Sequence, residues 1–109
     1  IGYPTANLHI APEEKLIPSD GVYAVRVTIN DAKEVYMGMM NIGVRPTIDG
    51  KKRVVEVNIF DFDADIYGAQ VKVELYYYLR GEVKFDGLEG LKAQLLQDKN
   101  KATTLLKSN

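Results

Sequence analysis

The chain has 109 residues, 46% of them hydrophobic and 27% charged, with a formal net charge of -1. That is enough apolar material for one compact domain, and too balanced in charge for a disordered chain or a generic polyanion binder. It has no cysteine and a single histidine, His9, which excludes thiol catalysis, disulfides, thiolate zinc sites and any two-histidine metal centre.

Near the start, Pro4-Thr5-Ala6-Asn7 places a hydroxyl and a carboxamide two residues apart. On a strand they share one face and offer two neutral oxygens to a hard cation; in a turn they act as a cap. Period-2 alternation then dominates. In GVYAVRVTIN, Tyr23, Val25, Val27 and Ile29 form one face, with Arg26 and Thr28 on the other. Asn30-Asp31 turns the chain into KEVYMGMMNIG, a strand whose Gly38 marks a bulge or a close backbone approach. RPTIDGKK reads as a loop around an Asp49-Gly50 turn. In RVVEVNIFDF, Val55, Val57 and Ile59 face one way and Glu56, Asn58 and Phe60 the other. DADIYG turns the chain, and QVKVELYYYLR is the cleanest strand, with Val71, Val73, Leu75, Tyr77 and Leu79 inward. After Phe85 the period changes. Asp86 and Glu89 read as a capping box, and Leu88, Leu91, Leu95, Ala102, Leu105 and Leu106 recur at helical spacing. Strands first and a helix last imply an antiparallel sheet covered by a terminal helix, and short turn-linked strands favour a closed barrel.

Most candidate motifs have ordinary explanations. Asp61, Asp63 and Asp65 begin like a calcium loop, but its glycine and glutamate positions hold Ile66 and Lys72. GVRPTIDGKK fails the spacing of a phosphate loop, and no G-x-G-x-x-G occurs. Lys51-Lys52-Arg53 reads as a solvated hairpin tip, Tyr76-Tyr77-Tyr78 as strand packing, and His9 as a residue without a chemical role. Glu56 differs. It sits mid-strand on a face with Val54, Asn58 and Phe60, where a carboxylate costs strand propensity and desolvation. It is either a general base or an exposed acid paired with a cross-strand lysine.

Taken in order, GYPTANL, GVYAV, NIGVRPT, VVEVNIFDFDADIYG, YLRGEVKFDGLEGL and QLLQDKNKA resemble the riboflavin kinase family over essentially the whole chain. The resemblance implies a mainly β domain spanning residues 1–109, a small six-stranded antiparallel Greek-key barrel with a C-terminal α-helix. It implies phosphorylation of riboflavin to FMN by ATP, with Glu56 as the catalytic carboxylate. Thr5 and Asn7 then hold magnesium and the nucleotide phosphates. Ile59, Asp61 and Tyr67 fall on the ATP side; Arg80, Val83 and Phe85 fall on the flavin side. The family's glycine-rich ATP loop lies just upstream of P-T-A-N, before the first residue here. This module is commonly half of a bifunctional FAD synthetase, so a longer parent chain with an FMN adenylyltransferase domain in cis is expected. The expected location is cytoplasmic, with neither membrane helix nor signal peptide and with no nucleic-acid partner. The alternatives are a non-catalytic flavin-binding barrel and an OB-like nucleic-acid binder using Lys51, Lys52, Arg53 and the tyrosines.

Overall fold

A computed structural model describes residues 5–10 and 17–108. They form strands β1 (Thr5–Ile10), β2 (Gly21–Ile29), β3 (Val35–Thr47), β4 (Gly50–Phe60) and β5 (Val71–Arg80), then helix α1 (Leu88–Lys107). The described strands number five, not six, and make one antiparallel sheet in the order β1-β4-β3-β2-β5. Strands β2, β3 and β4 follow one another as a meander, and β1 returns beside β4, which is a Greek key. Among the described residues no pairing joins the outer strands β1 and β5, so barrel closure is not part of the described sheet.

Alternation sorts the side chains to two faces. Tyr23, Val25, Val27, Met40, Ile42, Val55, Val57 and Ile59 make one buried cluster. Val22, Ala24, Met39, Phe60 and Leu79 make a second, closed by Ala102 and Leu106 of α1. The helix packs across β2, β3 and β5, so β2 is buried on both faces and the helix covers only one of them.

Three local readings change. The expected loop at RPTIDGKK is a tight hairpin: Thr47 pairs with Gly50, leaving only Ile48 and Asp49 at the tip. The β5 stripe is divided by register shifts against β2, with Tyr23 opposite Tyr78 but Val25 opposite Leu75. Val71 and Val73 therefore serve the first cluster, whereas Tyr77 and Leu79 serve the second. The helix is capped by Gly87 without a side-chain bond, so Asp86 and Glu89 form no capping box. Two other readings hold. Asn30 and Asp31 both have positive φ, 52° and 55°, and Ala32 N–H bonds the Ile29 carbonyl, which is a type I′ hairpin turn. A Cβ on Gly38 would lie 2.6 Å from the Asn58 carbonyl oxygen, the close strand approach its position suggested.

Candidate active site

Where the N-terminal half of α1 leaves the sheet uncovered, a cavity of about 400 Å³ opens. Met39, Val22 and Phe60 form its apolar floor and Leu91, Leu95 and Leu96 its helical wall, while Asn41, Glu56, Asn58, Arg45 and Arg80 supply polar edges. A few polar groups in an apolar concavity of this size is the usual make-up of a small-molecule site.

Glu56 belongs to β4, which pairs on both sides. Its neighbours in register are Asn41 on β3 and His9 on β1. The β1 register carries positions 5 and 7 opposite Phe60 and Asn58, so the pleat aligns them with the Glu56 face. Arg45 Nη2 donates to Glu56 Oε1 at 3.2 Å, and no described residue bonds the other carboxylate oxygen. The second arm of the same guanidinium, Nη1, donates to Glu82 Oε1 at 2.9 Å. The hydrogen bond to Glu82 holds the Arg45 guanidinium above the ordinary arginine range against partial burial, and the charges of Glu82 and Glu56 add to it. The Glu56 and Arg45 side chains are each 39% exposed, so the pair is worth about 0–1 kcal/mol and fixes orientation more than stability.

The far edge of the cavity is a buried ion pair. Arg80 Nε and Nη2 donate to the two oxygens of Asp98 at 2.9 and 2.7 Å, and Gln94 Nε2 adds a bond at 3.0 Å. The remaining guanidinium nitrogen, Nη1, donates to the Gly81 carbonyl at 2.9 Å. The hydrogen bonds Arg80 donates to Asp98 raise its guanidinium above the ordinary arginine range against the opposing effect of burial. The end of β5, the start of the following connection and the middle of α1 are thus tied at one point. The Asn41 Oδ1 is buried with no partner among the described residues, a cost of about 1–3 kcal/mol.

The family pattern described as Flavokinase, riboflavin kinase, matches residues 1–106. The chain belongs to the riboflavin kinase family. It is 43% identical over 105 residues to the bifunctional riboflavin kinase/FMN adenylyltransferase of Bacillus subtilis, a match covering 94% of this chain and 32% of that protein. It is 40% identical over 108 residues to the protein of the same name from Haemophilus influenzae, covering 99% of this chain and 34% of the relative. The chain thus spans about a third of the length of the curated relatives it matches. A crystal structure described as a macrolide-efflux protein from Streptococcus pneumoniae is similar at a TM-score of 0.77 and 41% identity, over 94% of this chain and 33% of that one.

The structure brings some of the residues implied by the riboflavin kinase resemblance together and separates others. Glu56 and Arg80 line one cavity. Thr5 and Asn7 join the Glu56 face by backbone register; their side chains lie outside the described set. Ile59 is 0% exposed and belongs to the core on the opposite face, which leaves its side chain unavailable to a nucleotide. Asp61 follows β4 at a left-handed φ of 54° and lies exposed, 3.8 Å from Lys99 Nζ. Tyr67 is 98% exposed, its N–H bonded by Asp65 Oδ1 at 2.9 Å. Val83 is exposed on the connection after β5. Phe85 turns back onto the helix, its Cδ1 3.4 Å from where a Gly90 Cβ would stand, the staple-like packing that fixes helix entry. The residues sequence reasoning passed over are Arg45, Asn41, Glu82 and Asp98. No helix among the described residues is long and apolar enough to cross a membrane.

Proposed function

We propose that this domain transfers the γ-phosphoryl group of ATP to the ribityl 5′-hydroxyl of riboflavin, giving FMN and ADP, with Glu56 as general base. The observation that carries the reading is the Glu56 carboxylate at the lining of an apolar cavity, one oxygen held by Arg45 and the other bonded by no described residue. The isoalloxazine ring lies against Phe60, Met39 and the helical leucines, with Arg80, Val83 and Phe85 bounding the flavin side. The ribityl chain then runs toward Glu56, which accepts the hydroxyl proton as the oxygen attacks the γ-phosphorus and ADP leaves. Phosphoryl transfer asks the protein chiefly for such positioning and for charge neutralisation.

The nucleotide is assigned to the opening segment and the turn after β4, with Thr5, Asn7, Asp61, Tyr67 and the Ile59 backbone as its surroundings. Among the described residues no cluster of three His, Cys, Asp or Glu could hold a metal ion. A hydroxyl and a carboxamide are weak neutral ligands, which suits magnesium that arrives already bound to ATP. Thr5 and Asn7 would hold it there, and it would neutralise charge on the phosphates. In a full-length protein like its relatives, an FMN adenylyltransferase domain in cis would carry FMN on to FAD, in the cytoplasm.

The test is to incubate the intact protein with riboflavin, ATP and magnesium, and to separate the flavins and nucleotides. FMN formed with an equal amount of ADP is expected. Flavin bound without FMN formation would favour the non-catalytic barrel, and no flavin binding would end the reading.

A further inference from the structure

We propose that Arg45 is the positioning residue for Glu56, and that it couples this carboxylate to the connection between β5 and α1 through Glu82. The inference deepens the reading of Glu56 as base and rests on it. Asn41, Gly43 and Arg45 alternate along β3 onto the Glu56 face. In register, Glu56 stands opposite Asn41 while Arg45 stands opposite Lys52. The Arg45 side chain therefore runs back along its own strand to reach Glu56, and it passes over Gly43 on the way.

That path explains the glycine. A Cβ at Gly43 would lie 2.6 Å from Arg45 Nη1 and would overlap the Glu82 carboxylate. Gly43 has an ordinary strand conformation, pairing with Val54, so no turn or left-handed backbone calls for glycine there. The bare position is the bed of the Glu82–Arg45–Glu56 bridge. An arginine suits the place because its planar fork gives one arm to each carboxylate, whereas a lysine offers a single point charge. Glu82 belongs to the exposed connection that also carries Val83 and Phe85. The bridge consequently gives that connection a direct hold on the orientation of Glu56.

The experiment measures turnover and KM in the intact protein for Arg45→Ala, Arg45→Lys, Gly43→Ala, Glu56→Gln and the double variant Arg45→Ala/Glu56→Gln. Arg45 is half-exposed, so melting temperatures should barely move; if Arg45→Ala fails to fold, the lysine and Gly43 variants carry the comparison. Arg45→Ala should lower kcat by about 10²-fold, the scale of a roughly 1 Å misplacement, with the KM for ATP unchanged. Lysine should restore part of the loss. Gly43→Ala should lower kcat in the same direction, though it reaches no substrate. Adding Arg45→Ala to Glu56→Gln should cost nothing more, because the arginine acts through the glutamate. Wild-type kcat in Arg45→Ala, or the same loss repeated in the Glu56→Gln background, would overturn the proposal. Should Glu56→Gln itself turn over normally, the base assignment falls; an inactive Glu56→Gln beside a fully active Arg45→Ala removes only Arg45.

Discussion

Arg80→Ala probes what the Arg80 side chain does at the cavity edge. Its partner Asp98 is 4% exposed and Arg80 itself 19%, and Arg80 supplies two of the three hydrogen bonds that Asp98 accepts from described residues. Truncation leaves a buried carboxylate with Gln94 as its one hydrogen-bond partner among the described residues. Removing one partner of a buried pair costs about 3–5 kcal/mol, and the residual exposure of Arg80 places this case near the lower end. At roughly 4 °C per kcal/mol for a domain of this size, a fall of about 12 °C in melting temperature is expected. Replacing both partners by apolar residues of similar volume, Arg80→Met with Asp98→Leu, should recover most of it, since neither charge is then stranded. Thermal unfolding followed by circular dichroism reads both variants. A fall below about 2 °C for Arg80→Ala, against the cost expected of a stranded charge, would refute the reasoning. A double variant as unstable as the single one would do so equally.

Thr5→Ala with Asn7→Ala should weaken magnesium-ADP binding by calorimetry and leave riboflavin binding alone; an unchanged nucleotide affinity removes the metal assignment. Phe85→Ala should lower the melting temperature, because its ring packs on Gly90, and should also weaken riboflavin binding by about 1–3 kcal/mol, the range for aromatic stacking. Unchanged flavin affinity in the folded variant would leave the staple as its sole role. Gly38→Ala should destabilise the fold by about 1–3 kcal/mol, since its Cβ would push on the Asn58 carbonyl at 2.6 Å; a neutral result in urea unfolding would deny the close approach.

The face of each strand was legible wherever alternation ran unbroken. Tyr23, Val25, Val27, Val55, Val57 and Ile59 fall in one cluster as the period requires, and Glu56 with Asn58 and Phe60 falls on the other face. Reading failed where the period is interrupted in space but not in sequence: the β5 register shifts leave no trace in VKVELYYYL. Arg45 was missed for a different reason. Pro46, Asp49 and Gly50 read as a loop, which ended the strand at Gly43, two residues too early to carry the alternation of Asn41 and Gly43 onto Arg45. Asp98 carried a signal that went unused: with Leu91, Leu95 and Ala102 it occupies the buried stripe of α1, and an acid on an apolar stripe demands a cationic partner. Glu82 had no such signal, because its contact with Arg45 spans 37 residues. The site roles of Thr5, Asn7 and Glu56 came from the family resemblance; spacing alone pointed to a turn or cap for Thr5 and Asn7 and left Glu56 evenly divided between base and exposed acid.

The central claim is that Glu56 accepts the ribityl proton, and Glu56→Gln in the intact protein tests it most directly. The two side chains are nearly isosteric, and the amide oxygen can still accept the bond from Arg45, so melting temperature and riboflavin affinity should stay at wild-type values. Single-turnover formation of FMN should fall by about 10²–10⁴-fold, or about 3–5.5 kcal/mol in the barrier. FMN formation at the wild-type rate in this variant would contradict the account.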